Sequence, residues 1–168
     1  SVLALGDIAP ERLTRADEWI LDRLDVAVRE ADGALGPARP LRDGRWTERE
    51  LTQGMRLSEY VESARRFVWN ELADWYVEAA KSRVAADGPD RDVARAVLVH
   101  VFDLALRLLH PVVPFVTEAL WQRLPGRASD EYLARAAWPA AGAPRERARS
   151  FELVREAVSA IRQIRAEY

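Results

Sequence analysis

Asn70 and Lys81 are the only asparagine and the only lysine in the chain, and both fall on one stretch that reads as helix. At 100° per residue, Asn70, Asp74, Val77 and Lys81 share one edge of that helix, away from an apolar stripe through Val68, Leu72 and Trp75. The asparagine amide offers two donors and two acceptors, and the lysine is a phosphate-seeking cation. Trp69 and Tyr76 beside them carry rings on which an unpaired base can stack. The same pattern equally suits a solvated helix edge beside a structural tryptophan. Near the end of the sequence, Arg155, Arg162 and Arg165 fall on one helical face at steps of seven and three. Such a stripe can track phosphates, or it can simply pair with Glu152 and Glu156 in solvent.

Catalytic chemistry is harder to assemble. The two histidines, His100 and His110, are the only imidazoles. His100 with Asp103 has the spacing of a base and its orienting carboxylate, but such a histidine is more often a core-edge residue. His110 sits where a partly cationic ring suits the negative end of a helix dipole. No glycine loop for phosphate, no His-x-x-x-His metal pair and no Gly-x-Ser-x-Gly turn occurs. No catalytic residue and no metal ligand is expected, and with no cysteine, disulfides and thiolate metal sites are excluded.

The elements that must carry these residues are helical throughout. The 168 residues suit one domain, residues 1–168, with a hydrophobic core. Hydrophobic residues at 49% and charged residues at 31% give an ordinary globular balance, and a net charge of −2 excludes a globally basic nucleic-acid binder but not a local patch. No apolar run reaches the roughly 20 residues of a membrane span, and the start Ser1-Val2-Leu3-Ala4 has no basic signal-peptide flank. A cytoplasmic protein is expected.

Thr14-x-x-Asp17 resembles a capping box opening a first helix, with Ala16, Trp19, Ile20, Leu24, Ala27, Ala31 and Leu35 as its apolar stripe. Gly33 and Gly36-Pro37 end it. Residues 37–54, around Trp46, read as a long surface loop or insertion. A second helix from Leu57–Glu59 to Ala86 buries Val61, Ala64, Val68, Leu72, Trp75 and Ala79. A third starts at Asp90 as cap and runs to His110-Pro111. Its apolar surface, through Val93, Val97, Val101, Leu104 and Leu108 and widened by Phe102, makes it central. Pro114 opens a fourth helix to Leu124. Residues 127–149 are loop, with a short extended piece at Tyr132-Leu133. Ser150 caps a last helix with Phe151, Val154, Val158, Ile161 and Ile164 as its core stripe, which reaches the end of the sequence without a stop signal, as in a truncated chain. The expected fold is all-α, an antiparallel bundle of about five helices.

Three strings carry a family resemblance. Phe67-Val68-Trp69-Asn70-Glu71-Leu72-Ala73-Asp74-Trp75-Tyr76-Val77-Glu78-Ala79-Ala80-Lys81, the stretch from Leu108-Leu109-His110-Pro111 through Pro114-Phe115-Val116-Thr117-Glu118 to Leu124, and the closing Ala160-Ile161-Arg162-Gln163-Ile164-Arg165-Ala166-Glu167 resemble, in family order, the anticodon-binding domain of valyl-tRNA synthetases. Asp17-Glu18-Trp19-Ile20-Leu21-Asp22-Arg23-Leu24 is similar to the family's first helix. Isoleucyl and leucyl relatives share the bundle but differ in the Trp-Asn-x-x-x-Asp-Trp-Tyr string. The resemblance implies a class Ia helical bundle that binds the anticodon arm of a valine tRNA. It also implies a monomeric cytoplasmic parent that attaches valine using ATP and magnesium, bound in a catalytic domain outside this sequence. The editing domain and C-terminal coiled coil lie outside it too. By the same resemblance, a helix preceding residue 1 carries much of the anticodon reading, and Val77 packs against an anticodon base. Lys81, Asn70, Trp75, Tyr76, Arg162 and Arg165 are the neighbouring candidates for RNA contact. The alternatives are a role chiefly as a docking scaffold for the catalytic domain, or the same module of an isoleucyl- or leucyl-tRNA synthetase.

Overall fold

Thr14 caps the first helix as its spacing requires. In the computed structural model, which describes residues 3–36, 55–128 and 130–167, the Asp17 backbone N–H donates to Thr14 Oγ1 at 3.2 Å and the Thr14 N–H returns to Asp17 Oδ2 at 2.8 Å. This capping box opens α1, Arg15–Leu35, preceded by two single 3₁₀ turns, Leu5–Asp7 and Pro10–Arg12. The helix runs through Gly33 and stops at Gly36, whose φ of +78° breaks the helical run while its N–H closes on Asp32. Trp19, Ile20, Leu24, Ala27 and Ala31 are buried as their period predicts. Residues 37–54, including Trp46, lie outside the described residues.

The second helix, α2, covers 57–85 in three stretches: α-helical Leu57–Arg66, π-helical Phe67–Val77 and α-helical Glu78–Ala85. The π stretch corrects the sequence-based stripe. Hydrogen bonds that span five residues instead of four widen the turn, so residues four and five apart come to share a face. The buried set is Tyr60, Ala64, Phe67, Leu72, Tyr76 and Ala80, while Val61 and Ala79 face solvent and Val68 and Trp75 are only half-buried.

A three-residue turn leads to α3, Pro89–Leu109. Its cap is Gly88 rather than Asp90, with φ +107°, and Pro89 takes the first helical position, where its missing N–H costs nothing. Val93, Val97, Val101 and Leu108 are buried against α1 and α2. α1 shares the central place with α3, since it packs on α2, α3 and the last helix. α4, Pro114–Trp121, is shorter than expected, because residues 122–126 continue as turns. It sits on α3 through a second small core of Leu106, Trp121 and Leu133. There Asp103 accepts from the Trp121 indole, from Arg107 at 2.9 Å and from Arg127 at 2.7 Å, and the Arg127 guanidinium lies 4.2 Å above the Trp121 ring.

The segment from 138 to 148 is strapped along α1. Trp138 Nε1 donates to Asp32 at 2.7 Å, the Gly142 N–H to Asp25 at 2.8 Å and the Arg145 N–H to Asp22 at 3.0 Å, so three carboxylates on one face of α1 receive it in turn. Leu133–Arg135 forms a 3₁₀ turn where an extended piece was expected, although Tyr132 itself is extended. The last helix, α5, is Arg149–Glu167. Ser150 lies inside its first turn and donates back to the Arg147 carbonyl, so it is not the cap. Its predicted core stripe is a second correction. Phe151 packs on Trp19 with ring centroids 5.1 Å apart, but Val154, Ile161 and Ile164 are each more than half exposed, since α5 meets the bundle mainly through its first turns. Among the described residues no β-strand occurs, so the fold is an all-α bundle of five main helices.

Candidate nucleic-acid interface

The π stretch of α2 decides which side chains reach the surface. Tyr76 does not. It is fully buried, its hydroxyl donates to Asp17 Oδ1 at 2.6 Å, and Arg83 clamps both oxygens of the same carboxylate at 2.9 Å. Burial, reinforced by Asp17, drives its phenol pKa far upward. Tyr76 is therefore a core residue that ties α2 to the start of α1, and it is not exposed for the RNA contact expected of it. The widened turn rotated it inward.

The exposed ring of this stretch is Trp69, at 57%. Asn70 and Asp74 are exposed beside it. Val77 is half-buried and packs on the edge of the core. Lys81 is exposed, with Glu78 3.5 Å from its Nζ, a loose surface pair that leaves the ammonium available. Asn70 and Lys81 are thus exposed and Val77 half-exposed on one helix, but the π stretch between Asn70 and Val77 departs from the 100° step that put them on one edge.

Trp75 belongs to a second group, brought together only by the fold. It is half-buried, and two guanidiniums of α5 stand over its ring, Arg162 at 5.1 Å and Arg155 at 5.8 Å from the centroid. Arg155 is also 5.9 Å from the Trp19 ring. Glu152 ties the group together: it accepts from Trp19 Nε1 at 2.6 Å and from Arg155 Nε at 3.0 Å. Burial acts to raise its pKa, but those hydrogen bonds outweigh it and hold the carboxyl below its usual value. Arg165 lies further along α5, exposed and away from the tryptophans. Trp19 itself is buried, as its place on the apolar stripe of α1 implied, and it meets Glu152 and Arg155 from the core side.

The histidines do not form an active site. Burial lowers the His100 pKa, partly opposed by Asp103, and Asp103 gives its hydrogen-bonding capacity to Trp121, Arg107 and Arg127. His110 stands at the end of α3 with Nδ1 2.8 Å from Thr117 Oγ1. Among the described residues no group of three or more potential metal ligands converges, and no helix is long and apolar enough to cross a membrane.

An exposed aromatic, an amide, a lysine and tryptophan-backed arginines on adjoining helices suit contact with RNA by stacking and phosphate pairing. Comparison with known proteins points the same way. Residues 47–168 match the family model described as the anticodon-binding domain of tRNA ligase. The chain is similar to the valine–tRNA ligase of Petrotoga mobilis, 36% identical over 163 residues, which covers 94% of this chain and 16% of that protein. It is 40% identical over 158 residues to that of Nocardia farcinica, covering 93% of this chain and 16% of the relative, and 38% identical over 162 residues to that of Streptomyces coelicolor, with the same coverage. The chain thus spans about one-sixth of the length of these curated relatives. With the matched segment running from before α2 to the end of α5, and so carrying every residue of the two groups except Trp19, the chain belongs to the family of anticodon-binding domains of tRNA ligases.

Proposed function

We propose that this chain is the anticodon-arm module of a valyl-tRNA synthetase, a monomeric cytoplasmic enzyme whose ATP- and magnesium-dependent attachment of valine takes place in a separate catalytic domain. The observation that carries this reading is the α2 surface of Asn70, Val77 and Lys81, on a chain whose relatives named above are valine–tRNA ligases. Val77 offers an apolar contact to an anticodon base, Lys81 and Asn70 offer polar contacts beside it, and Trp75, Arg162 and Arg165 extend the surface toward the phosphate backbone. The test is titration of a valine-tRNA anticodon stem-loop, with an isoleucine-tRNA stem-loop as control, at several salt concentrations. Selective binding that weakens with salt is expected. Binding that is equal for both stem-loops means the α2 surface does not read the anticodon.

A docking role is supported by a different feature. Val112, Val113, Phe115, Val116 and Leu120 form an apolar surface on and before α4, with Phe115 91% exposed. Patches of this kind mark interfaces, and this one suits the catalytic part of the same parent polypeptide. The two roles are compatible, since α4 and the α2 surface use different residues.

A further inference from the structure

Two indoles organise the guanidiniums along α5. Arg155 is placed against both Trp19 and Trp75, and Arg162 against Trp75. Trp75 packs on the core with part of its ring and is overlaid by guanidinium, so the area on which a base would stack is already taken. Beside Trp19, a groove of about 570 Å³ continues the row, walled by Arg23, Arg145 and Arg149.

Most of the carboxylates near this row are engaged within the protein. Glu71 holds Arg23 at 2.7 Å, Asp22 accepts the Arg145 N–H at 3.0 Å, and Glu152 serves Trp19 and Arg155. Glu146 is the lining carboxylate left unpaired among the described residues. Arg149 and Arg162 form no ion pair among those residues, and the buried Nε of Arg145 has no acceptor. Along α5, Arg155 and Arg162 are about 10 Å apart on the helix axis, a spacing that phosphates of one strand can meet.

We propose that the groove beside Trp19 and the Arg155–Arg162 row form a track for the sugar-phosphate backbone of one RNA strand, with Trp75 as the positioning residue that fixes both guanidiniums rather than as a base-stacking platform. The inference rests on the RNA-binding reading above and deepens it. It assigns selectivity to α2 and sequence-independent affinity to α5. A phosphate track carries no base preference and binds in proportion to the counterions it releases.

The test measures binding of the 168-residue chain to two stem-loops, one with the valine anticodon loop and one with that loop scrambled, from low to moderate salt. For wild type, the track predicts binding to both. Arg162→Gln and Arg149→Gln should each reduce the slope of log affinity against log salt by about 0.7–0.9, and weaken binding at 0.1 M salt by about five- to eightfold on both RNAs, and Arg155→Gln, whose guanidinium is shared with Glu152, should act in the same direction but less. Trp75→Leu should also lower the slope, although it removes no charge, while Trp75→Phe, which keeps an aromatic face, should preserve most of it. Circular dichroism establishes that each variant is folded.

If Trp75→Leu weakens binding with the slope unchanged, the ring stacks on a base and the proposal is overturned. If the arginine variants leave both affinities intact while the anticodon loop is still preferred, the track is overturned and the anticodon reading stands. If the arginine variants act as expected but the two loops bind equally, the track stands and the anticodon reading fails. If wild type binds neither RNA at low salt, both fail.

Discussion

The Tyr76 hydroxyl donates to Asp17 Oδ1 at 2.6 Å inside the core, joining the π-helical stretch of α2 to the capping box of α1. One carboxylate therefore caps a helix, accepts a phenol and pairs with Arg83. Tyr76→Phe removes one neutral donor but leaves Arg83 and Thr14 on Asp17, so unfolding free energy should fall by about 1–2 kcal/mol. Urea denaturation measures this. RNA affinity of the folded variant should be unchanged, and a selective loss would place Tyr76 at the RNA after all.

Tyr60 gives a pH signature. Its hydroxyl donates to the Leu108 carbonyl within the core, and burial pushes its pKa from 10 up to about 12. Because the folded value lies above the unfolded one, the stabilisation is fully present below about pH 10 and is lost as pH rises toward 12. Tyr76, shifted in the same direction by burial and by Asp17, adds to the effect. Stability measured between pH 8 and 11.5 should be flat and then fall, and Tyr60→Phe should make the alkaline decline shallower. A variant with an identical alkaline limb would show that Tyr60 ionises freely in the native state.

Gly142 is required by a close approach rather than by its backbone angles. A Cβ at this position would lie 3.0 Å from Asp25 Oδ2, while the Gly142 N–H donates to the Oδ1 of the same carboxylate. Asp25 is buried and has little room to retreat. Gly142→Ala should lower stability by about 1–2 kcal/mol through strain and a weakened hydrogen bond. Thermal melting tests it, and a variant as stable as wild type would mean the strap along α1 shifts freely.

Phe115 should behave differently in the chain alone and in a longer polypeptide. With its ring 91% exposed, Phe115→Ser should change the stability of the 168-residue chain by no more than about 0.5 kcal/mol. In a polypeptide that also carries the catalytic domain, the same substitution should lower the melting temperature by exposing a docked surface to water. Equal melting temperatures for the longer wild type and variant would remove α4 from the domain interface.

Local chemistry in the sequence determined the helices. The Thr14–Asp17 capping box, the break at Gly36, Pro114 at a helix start and the apolar periods of α1 and α3 act over three or four residues, where backbone hydrogen bonds and φ preferences decide, and each was legible. The Trp-Asn and Ile-Arg strings likewise pointed to the family before any geometry was known. Only the tertiary structure decided which faces α2 and α5 present. The π stretch turned Tyr76 inward and left Trp69 outside, because a widened turn abandons the 3.6-residue period on which the stripe was drawn. The apolar stripe of α5 reads as core by pattern, yet it stays open because no described element packs over it. The pairing of Arg155 and Arg162 with Trp75 could not be read from spacing either. Cation–π contacts act through space over a few ångströms between residues about 80 positions apart, and only the packing of α5 against α1 and α2 brings such residues within that range.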